Sequence, residues 1–273
     1  AGLAGMRVAG VQLAVEGGAV AANVERALDR VREAAADGAD LVVLPELFDV
    51  GYFAFDAYGR AAESLAGERL GRFAAAADEH DVAVLAGTVV EDLSASAADG
   101  LDTPADAGLA NAAVLFDADG ERRLVYRKRH LFGYGSEETE RMVPGERTPV
   151  VDLAGVTVGV TTCYDLRFPE QFRAMADAGV ECVLVPSAWP YPRVEHWRTL
   201  GRARAIENLA YVVAVNGSGR FGDDALCGRS ATYDPWGTTL ASVGDEPGVV
   251  TATVDPERVA AVREQFPALR DRR

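Results

Sequence analysis

Gly155-Val-Thr-Val-Gly-Val-Thr-Thr-Cys-Tyr-Asp-Leu-Arg-Phe-Pro-Glu170 opens with β-branched residues, breaks at a cysteine and enters a helix through Pro169. The run Val156–Thr162 reads as a strand, because Val and Thr fit a pleated surface. Pro169 reads as a first helical position, where a missing N–H costs nothing. That helix runs to Gly179, and Glu181–Pro186 is the next strand. Strand, helix, strand is the alternation of an α/β protein.

The same alternation extends outward in both directions. Upstream, Arg7–Leu13 is a strand, Gly18–Asp37 an amphipathic helix stopped by Gly38, and Asp40–Pro45 an apolar strand ending at Glu46. Gly67–Asp81 is helical and Val82–Val90 a strand. Residues 91–110 shift to Ser, Ala, Asp and Gly without periodicity, which predicts a solvated surface loop. Strands Asn111–Asp117 and Arg122–Arg127 flank the turn Asp119-Gly120, and a polar stretch, Lys128–Arg147, follows. Pro149–Leu153 is the strand before the opening quotation. Downstream lie a long helix over Val194–Ala210, strands Tyr211–Asn216, Ser230–Tyr233, Thr238–Val243 and Gly248–Val254, and a helix from Pro256. No repeat and no composition break divides the chain, so residues 1–273 are expected to form one domain, a layered α/β sandwich. Ala1–Gly5 reads as tag residue or a frayed start, and no secretory leader pattern follows.

Composition narrows the function. The net charge of -15 argues against nucleic acid or an anionic membrane as partner. The longest apolar runs are strand-length, too short for a bilayer. Cys163, Cys182 and Cys227 are odd in number and widely spaced, which fits neither a disulfide framework nor a zinc site and suits a reducing cytoplasm. The three histidines, His80, His130 and His196, form no metal-binding spacing, so no metal is expected. Of the 27 basic residues one is lysine, Lys128, and the rest are arginine. An acidic, lysine-poor chain resembles proteins adapted to a salty cytoplasm; GC-rich coding bias is the other account.

Cys163 sits where a strand turns into a helix, so it projects from the sheet edge with backbone N–H groups nearby to hold an oxyanion. The helix N-terminus is expected to favour its thiolate. Cys182 and Cys227 lie in or beside strands and read as inert core residues. A thiol needs a base. His80 ends a surface-type helix and His196 lies within one, while His130, in the polar stretch, stays a candidate. Glu46 is a better one. It follows the buried strand Leu41-Val-Val-Leu-Pro45, where desolvation raises a carboxyl pKa toward a useful range. Lys128 offers a compact charge that can aim at one developing oxyanion, which a guanidinium cannot.

The motifs Leu-Pro-Glu-Leu-Phe48, Tyr-Arg-Lys-Arg-His-Leu-Phe132 and Thr-Cys-Tyr-Asp-Leu-Arg-Phe-Pro-Glu170 occur in the order and spacing of the nitrilase superfamily, the carbon–nitrogen hydrolases, which the chain resembles over essentially its whole length. Met-Val-Pro-Gly145, Ser-Ala-Trp-Pro190, Arg-Ala-Arg-Ala-Ile-Glu-Asn208 and Asp-Pro-Trp-Gly237 extend the match. The resemblance implies a four-layer α-β-β-α sandwich, pairing of copies through helical faces into a homodimer or higher homo-oligomer, and no cofactor. It implies Glu46 as general base, Lys128 as oxyanion stabiliser, Cys163 as nucleophile and Glu138 as a second glutamate, with Glu137 and Glu140 close enough to compete. The backbone N–H of Tyr164 would complete the oxyanion site. Trp189 and Tyr52 follow motif strands and fit pocket lining and core packing equally. Asp165, Arg167 and Glu170 read as structural ion-pair partners around the turn. The expected activity is hydrolysis of a small-molecule amide through a thioester. His-Leu-Phe132, the Trp-Pro pair with Trp197, and Val262-Arg-Glu-Gln-Phe-Pro267 look similar to the omega-amidase branch, whose substrates are dicarboxylate monoamides. An N-carbamoyl hydrolase, a nitrilase, a cysteine–histidine peptidase and a non-enzymatic amide- or partner-binding scaffold are the competing readings.

Overall fold

Alternating apolar residues along the strands decide how the layers stack. In the computed structural model, which describes residues 5–272, two six-stranded sheets lie face to face. The first half of the chain supplies β1 (Met6–Gln12), α1 (Val20–Ala36), β2 (Leu41–Val43), α2 (Tyr58–Ala61), α3 (Glu68–His80), β3 (Ala83–Asp92), α4 (Leu93–Ala98), β4 (Leu109–Phe116) and β5 (Arg122–Arg127). The second half supplies α5 (Glu138–Arg141), β6 (Val150–Leu153), β7 (Val156–Val160), α6 (Pro169–Asp177), β8 (Cys182–Ser187), α7 (Val194–Asn208) and β9 (Tyr211–Asn216). A small hairpin, β10 (Arg220–Phe221) and β11 (Asp224–Ala225), precedes β12 (Ala231–Tyr233), β13 (Thr239–Ser242), β14 (Gly248–Val254) and α8 (Pro256–Gln265).

One sheet has the order β14-β1-β2-β3-β4-β5 and the other β13-β12-β9-β8-β7-β6. In each, three central strands run parallel (β1-β2-β3 and β7-β8-β9) and the outer pairs are antiparallel. Parallel neighbours need helical crossovers, and those helices cover the outer faces. Along β8, Cys182 and Leu184 point to the interior shared with Leu41, Val43 and Leu85 of the other sheet. Val183 and Val185 point outward onto Phe172, Met175 and Trp197 of α6 and α7. Along β2, Val42 instead joins Leu44 against Val24, Val31 and Phe73 of α1 and α3. Period-two burial thus builds the expected α-β-β-α sandwich. Leu184, fully buried between the sheets, is a position where truncation to alanine costs about 2–5 kcal/mol.

Most elements lie within two residues of their sequence-based bounds. Residues 91–110 do not. Strand β3 continues to Asp92, α4 follows, and Glu91, Leu93 and Ser96 are buried. Glu91 is buried because Arg127 clamps it with two hydrogen bonds of 2.5 and 2.7 Å, and α4 is capped by the Asp92 side chain accepting from Ala95 N–H. A small-residue composition concealed both. Ala1–Ala4 of the expected frayed start lie outside the described residues.

Candidate active site

Glu46 stands three residues beyond the last residue of β2, held by hydrogen bonds that reach the neighbouring strands. Thr88 holds the turn: its N–H donates to Pro45 O (3.1 Å) and its hydroxyl accepts from Leu47 N–H (2.7 Å). The ladder between β3 and β4 shifts register between Ala86 and Val89, next to this turn. Gly87 is required there, since a Cβ would come within 2.0 Å of Leu44 O. Glu46 N–H donates to Ser187 O at the end of β8, so the base of this residue joins the two sheets.

Lys128 is fixed in the same manner. Its N–H donates to Asn111 O on β4, its carbonyl accepts from Gly145 N–H, and a Cβ at Gly145 would lie 2.1 Å from Arg127 O. The Nζ, fully buried, donates to Glu46 Oε1 (2.8 Å) and to both oxygens of Glu138 (2.9 Å each). Glu138 opens the single turn α5 and also accepts from Phe132 N–H (2.7 Å) and Tyr52 OH (3.3 Å). Glu137 and Glu140 are exposed, and Glu137 pairs with Arg141 instead.

Cys163 has φ +48°, a left-handed conformation at which non-glycine residues are strained. The strain is held by Asp165, whose buried carboxylate accepts from Thr162 N–H (2.8 Å), Tyr126 OH (2.5 Å) and His130 N–H (3.1 Å). The His130 ring also bonds Asp165 (2.7 Å) and stacks on Phe168. His130 is therefore committed to bracing the elbow. Asp165 acts as expected, but Glu170 is exposed and, among the described residues, neither it nor Arg167 has an ion-pair partner; Arg167 leans on Trp189 and bonds His196.

Burial raises the Glu46 pKa; the nearby Glu138 adds to this and Lys128 opposes it. Burial works to lower the Lys128 pKa, but Glu138 and Glu46 outweigh it and hold the ammonium protonated. Burial, then the Glu46 charge, pushes the Cys163 thiol well above its ordinary range. The expected help from a helix N-terminus toward the thiolate is thus corrected. The segment after Cys163 is a short 3₁₀ turn, and desolvation beside a carboxylate prevails over its N–H groups. The resting group is a thiol with a carboxylate neighbour, an arrangement that can transfer a proton on demand.

The thiol faces a cavity lined by Tyr52, Phe132, Tyr164, Trp189, Arg167 and Arg193 among others. Tyr52 and Trp189 are both buried and line it, so pocket and core are one role here. A larger surface cleft beside Arg122 and Arg147 holds none of these residues. Sequence reasoning missed Asn111 and Asn216. Asn111 Nδ2 donates to Glu46 Oε1 (2.8 Å) and Glu138 Oε1 (2.9 Å). Asn216 clamps the backbone of Trp189 at both N–H and carbonyl. The available signal was a polar side chain inside an otherwise apolar strand, which must find buried partners.

A buried cysteine on a strained elbow, with a carboxylate and an ammonium beside it on a doubled α/β sandwich, defines a class of thiol hydrolases. The carbon-nitrogen hydrolase family matches residues 7–264, and the chain belongs to that family. The 2-oxoglutaramate amidase of Paenarthrobacter nicotinovorans is 38% identical over 240 residues, covering 86% of this chain and 79% of that one. Omega-amidase NIT2 of Homo sapiens is 32% identical over 92% of this chain and 89% of its own. Among solved structures, a glutamate-to-glutamine mutant of the amidase from Nesterenkonia sp. AN1 superposes with a TM-score of 0.82 at 28% identity, covering 99% of this chain and 95% of that one. That structure shows covalent addition of the acetamide moiety of fluoroacetamide at the active-site cysteine. This chain, too, is an amidase, hydrolysing a non-peptide carbon–nitrogen bond.

Proposed function

We propose that the chain hydrolyses a short linear amide that carries a carboxylate at its far end, a dicarboxylate monoamide in the manner of an omega-amidase. The observation that carries this reading is the pair Arg167 and Arg193 in the wall of the cavity that holds Cys163. Their guanidinium groups rest on the aromatic faces of Trp189 (5.1 Å) and Phe132 (5.4 Å). Among the described residues, neither has a carboxylate partner, so an anionic group of the substrate supplies one. The relatives' names, 2-oxoglutaramate amidase and omega-amidase, support the same class.

In the proposed mechanism Glu46 takes the Cys163 proton as the sulfur attacks the amide carbonyl. Lys128 and the Tyr164 N–H hold the tetrahedral oxyanion. Glu138 orients Lys128. Glu46 then gives its proton to the departing nitrogen, releasing ammonia and leaving a thioester. A water, deprotonated by Glu46, cleaves that thioester to the acid and restores the thiol. The reading also places the enzyme in the cytoplasm, supported by three free cysteines, and in a homo-oligomer, supported by exposed Ile206, Trp236 and Phe266 near the α7 face.

Ammonia release from short amides with and without a terminal carboxylate, from N-carbamoyl compounds and from nitriles tests the substrate class. Arg193→Ala should raise KM for the carboxylate-bearing amides about 10-fold to 100-fold, the worth of a charge-assisted hydrogen bond, and leave neutral amides unchanged. Equal preference for neutral amides in the wild type would remove the reading.

A further inference from the structure

The two buried glutamates present eight acceptor positions in all, and their occupancy is uneven. Glu138 is saturated. Its Oε1 accepts from Lys128 and Asn111, and its Oε2 from Lys128, Phe132 N–H and Tyr52 OH. Glu46 Oε1 is filled by Lys128 and Asn111, each at 2.8 Å. Glu46 Oε2 accepts only the Ala188 N–H, at 2.9 Å. One acceptor position remains, on Oε2, whose donor, the Ala188 N–H, also lies beside the Cys163 thiol.

We infer that Asn111 is a positioning residue for proton transfer: by donating one N–H to each glutamate, it turns Glu46 so that Oε2 alone is free to take the Cys163 proton. The inference rests on Glu46 being the base.

The orientation of the Asn111 amide carries the argument. The side chain is 1% exposed, within the apolar run Leu109-Ala-Asn-Ala-Ala-Val-Leu-Phe116. Its Oδ1 has no hydrogen-bond partner among the described residues. An asparagine kept only for folding would satisfy both ends of its amide, since a buried unpaired acceptor costs stability. Here the donor end is spent wholly on the two carboxylates and the acceptor end is left orphaned. The reverse orientation would set Oδ1 against both carboxylates, a like-polarity contact. Asn111 is also locked to Lys128 through its carbonyl, so the one residue sets both the ammonium's backbone and the base's carboxylate.

The charged and titratable groups facing Glu46 are Lys128 after β5, Glu138 on α5, Cys163 on its elbow, and the phenols of Tyr52 and Tyr58. Of the donors to its Oε1, only Lys128 and Asn111 are side chains that a substitution can remove. Donation to the ionised carboxylate lowers its pKa, so removing the Asn111 donor raises it.

The test is the pH dependence of Cys163 alkylation by iodoacetamide, which needs no knowledge of the substrate, in wild type, Asn111→Leu and the less crowded Asn111→Ala. The acid limb should move to higher pH by about one unit in both variants. With succinamate as substrate, kcat should fall at least about 10-fold while KM stays within about 2-fold, because Asn111 supports the base and does not line the cavity. A purely structural asparagine would lower the melting temperature and leave the acid limb in place; an unmoved limb in either folded variant overturns the inference. Glu46→Gln separates this from the underlying reading. If Glu46→Gln retains turnover, the base assignment itself fails; if it is inactive and the Asn111 limb is unmoved, only the role of Asn111 fails.

Discussion

Lys128 Nζ lies 2.8 Å from Glu46 Oε1, and neither side chain has any exposed surface. With Glu138 completing the cluster at 2.9 Å, one cation is shared by two carboxylates in a dry interior. Such a cluster is held by mutual pairing, and each charge is costly to leave alone.

Replacement of the lysine therefore has two separable outcomes. Lys128→Arg keeps the charge but puts a broad planar fork where a point charge sits. Turnover should drop by at least about 10²-fold in a folded protein, the usual scale for losing an oxyanion donor. Lys128→Ala strands two buried carboxylates and should lower stability by about 3–5 kcal/mol. Steady-state kinetics and denaturant unfolding read the two effects, and near-normal turnover in Lys128→Arg would mean the ammonium does not hold the oxyanion.

Cys163 is 8% exposed and opens on the cavity, whereas Cys182 and Cys227 have no exposed surface. Burial pushes the Cys227 thiol up to about 12, and raises Cys182 as well. Iodoacetamide should label Cys163 first, with loss of activity tracking that label in peptide maps. Cys163→Ala should abolish turnover with the fold intact, and inactivation that followed Cys227 labelling instead would misplace the nucleophile.

Asp49 gives a pH signature for stability. It is buried beneath Arg69 (2.8 Å), and burial, aided by Glu63 and opposed by Arg69, lifts its pKa from 3.8 to about 6. Between those values the folded state binds more protons than the unfolded state, so this group's contribution falls as pH rises through the window. About two units correspond to about 3 kcal/mol. Unfolding free energies of Asp49→Asn should fall less steeply than wild type between pH 4 and about 6. Parallel profiles would show that the carboxyl is not raised.

The charge of -15 at pH 7 predicts a salt response. Self-repulsion weakens as the Debye length drops from about 10 Å at 0.1 M to about 3 Å at 1 M. The melting temperature should climb markedly with potassium chloride. A flat response would leave coding bias as the reason for the single lysine.

The alternation of strand and helix was legible because both periods are local: β-branched runs such as Val156–Val160 and stops such as Gly38 and Gly179 act within a few residues. Tyr58–Ala61, Leu93–Ala98 and the hairpin Arg220–Ala225 were not legible. Each is short, and its stability comes from what it packs against rather than from its own residue preferences.

The chain by itself determined the layered sandwich and nominated Glu46, Lys128, Glu138 and Cys163, since residue type and motif spacing are properties of the chain. The tertiary structure alone decided how those four meet. It brought Asn111 from β4 between the two carboxylates, set Ala188 N–H on Glu46 Oε2, and gave His130 to Asp165. It also set burial and the Glu46 charge against the thiolate that a helix N-terminus would favour at Cys163. The reason is physical: hydrogen bonds and desolvation depend on which atoms share a dry volume, and residues 65 positions apart, such as Glu46 and Asn111, share one only after β2, β3 and β4 have paired into one sheet and the second sheet has covered it.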